Sequence, residues 1–552
     1  MSASSKKQLR KEQKAAAKAE KLQAEQKEAK KLKLYSIVFM AVIALVICVA
    51  IVIGVVTTYN TSGIVERNTV ALTVNDHEIS NADLSYYYVD GINNTYNTWY
   101  QSYGEYTASF VQLANGLDLS KPLNEQTYLQ DGSKTWADYF VEMAIEDAKS
   151  AYALYDAAIA AGRTISDEEM ATLDENIATL ESMATVYGYQ DLNTYLESFY
   201  GFGATEEGYR KYNEITYLAS AYYNEYSESL TYDAAAIDAF AKEYPNEYAS
   251  FDYARYYIAY NKFLGEGTTD EEGNVTHSDE ETAAAIEEAK KTAESLATAA
   301  DLAALNEAIL ALDFNQETQE TATEYTAQMY SELPTTLQEW LSDSSRKAGD
   351  IEVIANESTT TDENGKSVTT TFGYYVVVFQ NRNDNTTPMV NVRHILSSFE
   401  GGTANPDGTV SYSDEEKKAA YDALFEVYSA WKDGDATEES FAQLATENTD
   451  DTGSVNNGGL YEDVFPGQMV PAFNDWCFDA SRKTGDNEII ETEYGYHLMY
   501  YVSQADQTYR DYMITSDMTT RDLNLWMEEL VAASNSEVKD TSKLNLDVTI
   551  SG

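Results

Sequence analysis

The chain has 552 residues, too many for one hydrophobic core, so several domains are expected. Lys and Arg number 37 against 92 Asp and Glu, a formal net charge of −55, which argues against nucleic acid as a partner because phosphate needs the opposite sign. Two cysteines and four scattered histidines argue against a disulfide framework and a structural zinc site, so no metal and no cofactor are expected.

Residues 1–33 form a basic tail rich in Lys, Ala, Gln and Glu. Residues 34–56 then carry no charged side chain, long enough for a helix to cross a bilayer. The basic flank predicts a cytoplasmic N-terminus and an extracytoplasmic bulk. A cleaved signal peptide would need a small-x-small site, which Val55-Val56-Thr57-Thr58-Tyr59 does not offer. A lipidated Cys48 would want a small residue before it, and Ile47 is bulky. The expectation is a single-pass signal anchor in the cell membrane.

Residues 60–250 read as a mostly helical, tyrosine-rich domain. Val70 to Ser80 alternates around Asn75-Asp76 as a hairpin. Ser80-Asn81-Ala82-Asp83 then caps a helix starting near Leu84. Helical periodicity covers 136–161, 166–186, 192–199, 206–226 and 233–244. The abundant tyrosines suit core packing, or an aromatic cradle for unfolded chains. His77 and His277 read as turn residues at the surface.

An internal repeat follows, 251–385 and 389–504. Arg255-Tyr256-Tyr257-Ile258 parallels Arg393-His394-Ile395-Leu396, Trp340 to Asp350 parallels Trp476 to Asp486, and Phe372-Gly373-Tyr374-Tyr375 parallels Tyr494-Gly495-Tyr496-His497. Each unit reads as a strand, a Ser-Asp-Glu-Glu helix start, two helices, a short Trp-bearing helix and two strands. The class is α+β, a small antiparallel sheet covered by helices. The second copy has His394 and His497 where this alignment gives Tyr256 and Tyr375 in the first. It also has Asp450-Asp451 and Gly458-Gly459-Leu460, which the first lacks.

The second copy carries His394-Ile395-Leu396, Phe441-Ala442-Gln443-Leu444-Ala445, Gly458-Gly459-Leu460, Met469-Val470-Pro471-Ala472-Phe473 and Gly495-Tyr496-His497 in order. With these it resembles the parvulin family of peptidyl-prolyl cis/trans isomerases. The whole layout resembles exported parvulin foldases of the PrsA and SurA type, with a helical chaperone region and, in some, a second, inactive parvulin unit. The resemblance implies that 251–385 is a degenerate unit. It implies that His394, Asp451 and His497 form the catalytic cluster, and that Leu460, Met469, Phe473 and Tyr494 line a proline-binding wall. Tyr461-Glu462-Asp463 departs from the family's small Gly-x-Phe. The partners implied are unfolded or partly folded secreted polypeptides. A homodimer and a purely holding, non-catalytic chaperone stay open as alternatives.

After Ser503 an amphipathic helix is expected at 519–533 and a strand at 544–550, both returning to complete the helical domain.

Overall fold

The computed structural model describes residues 40, 42–54, 62–269, 275–361, 365–405 and 409–550, with Lys14 and Lys18. Residues 42–54 form a helix, α1, inside the expected membrane span. Most of the rest of that span and nearly all of the basic tail lie outside the described residues. Among the described residues no helix is long and apolar enough to cross a membrane.

The chain divides into two compact units, residues 1–230 with 521–552, and residues 231–520. The first unit opens with α2 (Ile64–Asn68), β1 (Val70–Val74) and β2 (His77–Ser80), the expected hairpin. Ser80 then caps α3 (Asn81–Tyr103) through a reciprocal bond with Asp83, three residues ahead of the predicted start. Next come α4 (Thr107–Asn115), α5 (Trp136–Ala160), α6 (Asp167–Val186), α7 (Leu192–Tyr200) and α8 (Glu206–Ser229). Thr135 and Ser166 cap α5 and α6 in the same reciprocal way.

Many tyrosines here are core residues. Tyr86, Tyr88 and Tyr152 are almost fully buried. The Tyr86 hydroxyl donates to the Thr205 carbonyl and accepts from the Thr205 amide, both at 3.0 Å, and so stitches α3 to the start of α8. Asp90 accepts from Tyr200 and Tyr212, and burial raises its carboxyl above the usual range. His77 is not a free surface residue. Its Nε2 lies 2.8 Å from Asp156, and its ring packs on Tyr152 and Tyr155.

The C-terminal return differs in detail from expectation. The helix is longer, α16 (Tyr509–Ala533), and the strand lies earlier, at β15 (Ser536–Val538), which pairs antiparallel with β1. Leu544 to Ile550 forms no strand. Its alternation still buries Leu544 and Ile550 in the core around Leu72, Phe140 and Trp136. A segment can alternate because one side meets a core, with no strand partner at all. Trp526 stacks on Tyr226 at 3.9 Å between centroids. Trp526→Ala is expected to cost about 2 kcal/mol, read as a lower urea midpoint by circular dichroism.

The second unit begins with α9 (Ala234–Glu243), which the sequence reading placed in the helical domain. Phe240 and Tyr248 pack with Ile514 and Met518 of α16. The repeat then appears as two four-stranded antiparallel sheets. The first holds β3 (Ser250–Ala259), β6 (Thr323–Met329), β7 (Ile351–Thr361) and β8 (Ser367–Asn383) in the order β6-β3-β8-β7. The pair β4 (Thr268–Thr269) and β5 (Val275–Thr276), with α10 (Asp279–Leu296), α11 (Leu302–Leu310) and α12 (Thr335–Ser342), completes it.

The second holds β9 (Pro388–Ser398), β12 (Leu460–Val464), β13 (Asn487–Glu491) and β14 (Gly495–Thr508) in the order β12-β9-β14-β13. The pair β10 (Thr403–Ala404) and β11 (Val410–Ser411), with α13 (Asp414–Asp433), α14 (Glu438–Asn448) and α15 (Pro471–Cys477), completes it. The outer strands β6 and β12 were not anticipated.

The registers align the two copies residue by residue and correct one assignment. Gly373 pairs with Ala259 as Gly495 pairs with Ser398, and both glycines have φ 153°. Counting inward, His394 matches Arg255, one residue before Tyr256, while His497 matches Tyr375. Each sheet also shifts register at the same place, between Tyr501 and Ser503 in one and between Asp252 and Tyr253 in the other. The cores agree. Tyr256 joins Ala289 and Leu305 under the long helices, as Ile395 joins Leu424 and Phe441. The match of Arg255 to Arg393 in the sequence is a slip of one residue, which in a strand changes the face.

Candidate active site

The central strands β9 and β14 run side by side, and His394 and His497 rise from the sheet face that carries Met499 and packs on Phe473 of α15. The two rings meet, with Nδ1 to Nδ1 at 3.1 Å. His394 is 2 % exposed and His497 5 %. On the far side, His394 Nε2 lies 3.0 Å from Asp451 Oδ2. Asp451 also accepts from the Tyr461 hydroxyl at 2.8 Å, from the Gly453 amide at 3.1 Å, and from the Ser454 hydroxyl in a very short contact. At the other end Thr492 Oγ1 stands 2.9 Å from His497 Nε2. The result is one chain of polar atoms: Thr492, His497, His394, Asp451.

The loop after α14 delivers Asp451. Asp450 N–H donates to the Leu396 carbonyl at 2.9 Å, and the Thr449 hydroxyl accepts from Leu396 N–H at 3.0 Å. Arg393 ties down the far end, donating from Nη1 to the carbonyls of Asn457 and Gly458 and from Nε to Glu438. Gly459 lets the loop lie on β9. Its φ is +71°, and a Cβ there would sit 2.2 Å from the His394 carbonyl oxygen.

The electrostatics follow from burial and partners. The His394 hydrogen bond, helped by Ser454 and Tyr461, holds the Asp451 carboxyl well below the usual range despite its desolvation. Burial, and then the neighbouring His394, push His497 down to about 3. Burial and the adjacent carboxylate push the Tyr461 hydroxyl up to about 12. An ionised Asp451 only accepts, so His394 Nε2 carries a proton. The Nδ1–Nδ1 contact needs one further proton between the rings. With the His394 proton on Nε2, this further one sits on His497 Nδ1, and Thr492 Oγ1 donates to His497 Nε2.

This network makes stability depend on pH. His497 has a folded pKa below its unfolded value of 6.5, so its contribution is full above pH 6.5 and is lost as pH falls toward 3. Asp451, also depressed, contributes above the unfolded carboxylate range and loses its share below it. Both act in the same direction. Between pH 7 and pH 4.5 the expected loss from His497 is about 3 kcal/mol, read as a falling urea midpoint. In His497→Gln that part of the pH dependence should flatten; an unchanged slope would contradict the assignment.

The expected wall is gathered only in part. Phe473 stands edge-on to both imidazoles, at 5.4 and 5.5 Å between centroids. Met469 packs on the same apolar cluster. Leu460 sits on the outer strand opposite Arg393. Tyr494 is 59 % exposed, and its backbone rather than its ring serves the site, by donating to Thr492 Oγ1. Tyr461, noted in the sequence only as a departure, stacks on His394 at 5.0 Å. Ser454 and Thr492 were missed, since no local pattern marks a hydroxyl that becomes a partner through folding. A recess of about 680 Å3 opens beside the network, lined by Phe399, Tyr412, Val470, Pro471, Ala472 and Thr492 among others. Thr492 connects the recess to the imidazoles.

In the first copy Arg255 occupies the His394 position. Its guanidinium lies over the rings of Tyr325 and Tyr375, at 4.8 and 5.2 Å, and its Nε donates to the Tyr325 hydroxyl. Tyr325 matches Tyr461 by register. The space held by paired imidazoles in one copy is held by an arginine–tyrosine stack in the other.

Residues 374–505 match the family model described as the PPIC-type PPIase domain. Foldase protein PrsA 1 of Listeria monocytogenes serotype 4b is 30% identical over 149 residues, 25% of this chain and 48% of that protein. Foldase protein PrsA 2 of Listeria monocytogenes serovar 1/2a is 30% identical over 149 residues, 25% of this chain and 47% of its own. The chain thus spans about half the length of the curated relatives it matches. The crystal structure of PrsA from Bacillus subtilis is 25% identical and covers 28% of this chain and 52% of its own, with a TM-score of 0.17, too low to speak for the fold of the whole chain. Residues 374–505, the stretch that holds both imidazoles, are thus similar to the parvulin, or PPIC-type, peptidyl-prolyl isomerase domains, in a chain similar to the PrsA foldases.

Proposed function

We propose that this protein is a membrane-anchored, extracytoplasmic peptidyl-prolyl cis/trans isomerase and chaperone acting on secreted polypeptides. The observation that carries the enzymatic part is the buried His394–His497 pair, tethered by Asp451 and opening through Thr492 onto a recess whose lining mixes Phe399, Val470 and Pro471 with Lys417 and Glu491. An Xaa-Pro bond turns slowly because amide resonance resists twisting, with a barrier of about 18–20 kcal/mol. Uncatalysed exchange takes roughly 10–100 s. The catalyst has no bond to break. It has to hold the proline, exclude water and favour the twisted amide, whose carbonyl and nitrogen have lost their conjugation. A fixed hydrogen-bond network in a dry site supplies such a field without reorganising. Neither imidazole is needed as a general base.

A protease-coupled assay with an Xaa-Pro peptide tests this on the full chain. Catalysis is expected, and it should fall sharply in His394→Ala. A wild-type protein with no activity would leave only the holding role.

The anchor is supported by the uncharged stretch 34–56 behind a basic tail. Protease added outside intact cells should digest the chain beyond residue 57 and spare the tail.

A further inference from the structure

The first unit carries an aromatic recess remote from proline chemistry. Helix α6 ends at Val186, and Gly188, at φ +81°, turns the chain toward α7. Tyr187, Gly188, Tyr189, Tyr195 and Phe199 line a recess of about 390 Å3. Tyr195 is its floor. Tyr189 and Phe199 stand edge-on to it, at 5.1 and 4.9 Å, and Tyr187 lies parallel at 6.3 Å. Tyr195 is buried, whereas Tyr187 is 69 % exposed and Phe199 56 %. Tyr187 and Phe199 thus keep much of their ring area in water beside a buried ring.

The segment that carries this recess is acidic in sequence, with Arg163 and Arg210 at its two ends pairing with Glu169, Asp174 and Glu206. Between Arg163 and Arg210 the sequence has ten Asp and Glu and no Lys, Arg or His. The last turn of α6 holds no basic residue, so its carbonyl end, the negative pole of the helix, is not matched by a cation from its own turn. Aromatic faces, an acidic segment and a helix C-terminus all favour a positive guest.

We propose that the α6–α7 turn binds a lysine or arginine side chain of an extended polypeptide, with the cationic head among the rings and its methylene stem on Phe199. This rests on the chain having polypeptide partners but not on isomerisation. A net charge of −55 would hold any basic peptide loosely. The rings would give that attraction a place.

The test measures binding of two otherwise identical peptides to the full chain, one with lysines and one with norleucine in their place. Tyr187→Leu/Phe199→Leu keeps the surface apolar, leaves the charge unchanged and alters only exposed positions. The lysine peptide is expected to bind at least fivefold more weakly to the double variant, with the norleucine peptide unaffected. Equal binding of the lysine peptide to both proteins would overturn the proposal. So would equal binding of the two peptides to the wild-type chain. Tetramethylammonium binding at the recess while the lysine peptide ignores it would also overturn it, in favour of a small-cation site. Isomerase activity measured on the same double variant should be unchanged, so the two readings can fail separately.

Discussion

His394→Ala should lower kcat/KM for Xaa-Pro isomerisation by about 30–100-fold, equivalent to about 2–3 kcal/mol of transition-state stabilisation. The substitution removes the hydrogen bonds of the ring, 3.1 Å to His497, 3.0 Å to Asp451 and 3.2 Å to the Ser454 hydroxyl. It leaves His497 Nδ1 and one Asp451 interaction without a partner in a buried place, each costing about 1–3 kcal/mol. Some of the damage is therefore to stability, and activity must be read where the variant is folded. The catalytic part shows as a fall in kcat larger than any rise in KM. Asp451→Asn is the companion, since it keeps size and removes charge. If the anchored charge orients the network, this variant also loses rate while binding peptide normally. An activity within twofold of wild type in His394→Ala would remove the imidazole pair from the mechanism.

The first copy offers an internal comparison. With the Arg255 guanidinium over the rings of Tyr325 and Tyr375, and His277 the one histidine in its sequence, it has no imidazole pair. Residual activity of the His394→Ala chain should therefore not come from residues 251–385. If the double variant Arg255→Ala/His394→Ala were slower still than His394→Ala, the first copy would be contributing after all.

What the sequence made legible was local chemistry. The capping residues Ser80, Thr135, Ser166, Ser278 and Ser413 each sit three residues before an acidic partner, a spacing visible in one dimension. The histidines, the double glycine and the Trp-bearing helices were legible as ordered motifs. Pairing was not. Strands β6 and β12 are interrupted by Ala327 and Asp463, both at positive φ, which breaks the alternation that would announce a strand. The matching of Arg255 to Arg393 failed for a related reason. Residue identity favours one register, whereas the packing of Tyr256 under the helices requires the next. Tyr461 was visible only as an oddity, since its value lies in an Asp451 oxygen ten residues back that the fold brings near.

Gly459→Ala should abolish the folded second repeat, at a cost above about 4 kcal/mol, a range that calls for a named cause. Two causes combine. Alanine at φ +71° pays roughly 1–2 kcal/mol for the left-handed conformation. Its methyl would also lie 2.2 Å from the His394 carbonyl oxygen and 2.9 Å from Ala445. The carbonyl cannot swing away, because Gly459 O accepts from His394 N–H at 2.8 Å and β9 is paired on both sides. Relief requires lifting the 449–459 loop off the strand, and that loop carries Asp451 and Ser454. Gly453→Ala is the control. It lies in the same loop, but its added methyl would stand 3.4 Å from Asp451, an ordinary contact, and should cost under about 1 kcal/mol. Trp431 and Trp476 are buried in this repeat and report the outcome through their fluorescence. Red-shifted emission without denaturant and no isomerase activity are expected for Gly459→Ala, and a native spectrum for Gly453→Ala. If Gly459→Ala instead melts like wild type, the loop does not lie against His394, and the placement of Asp451 that the site depends on would have to be abandoned.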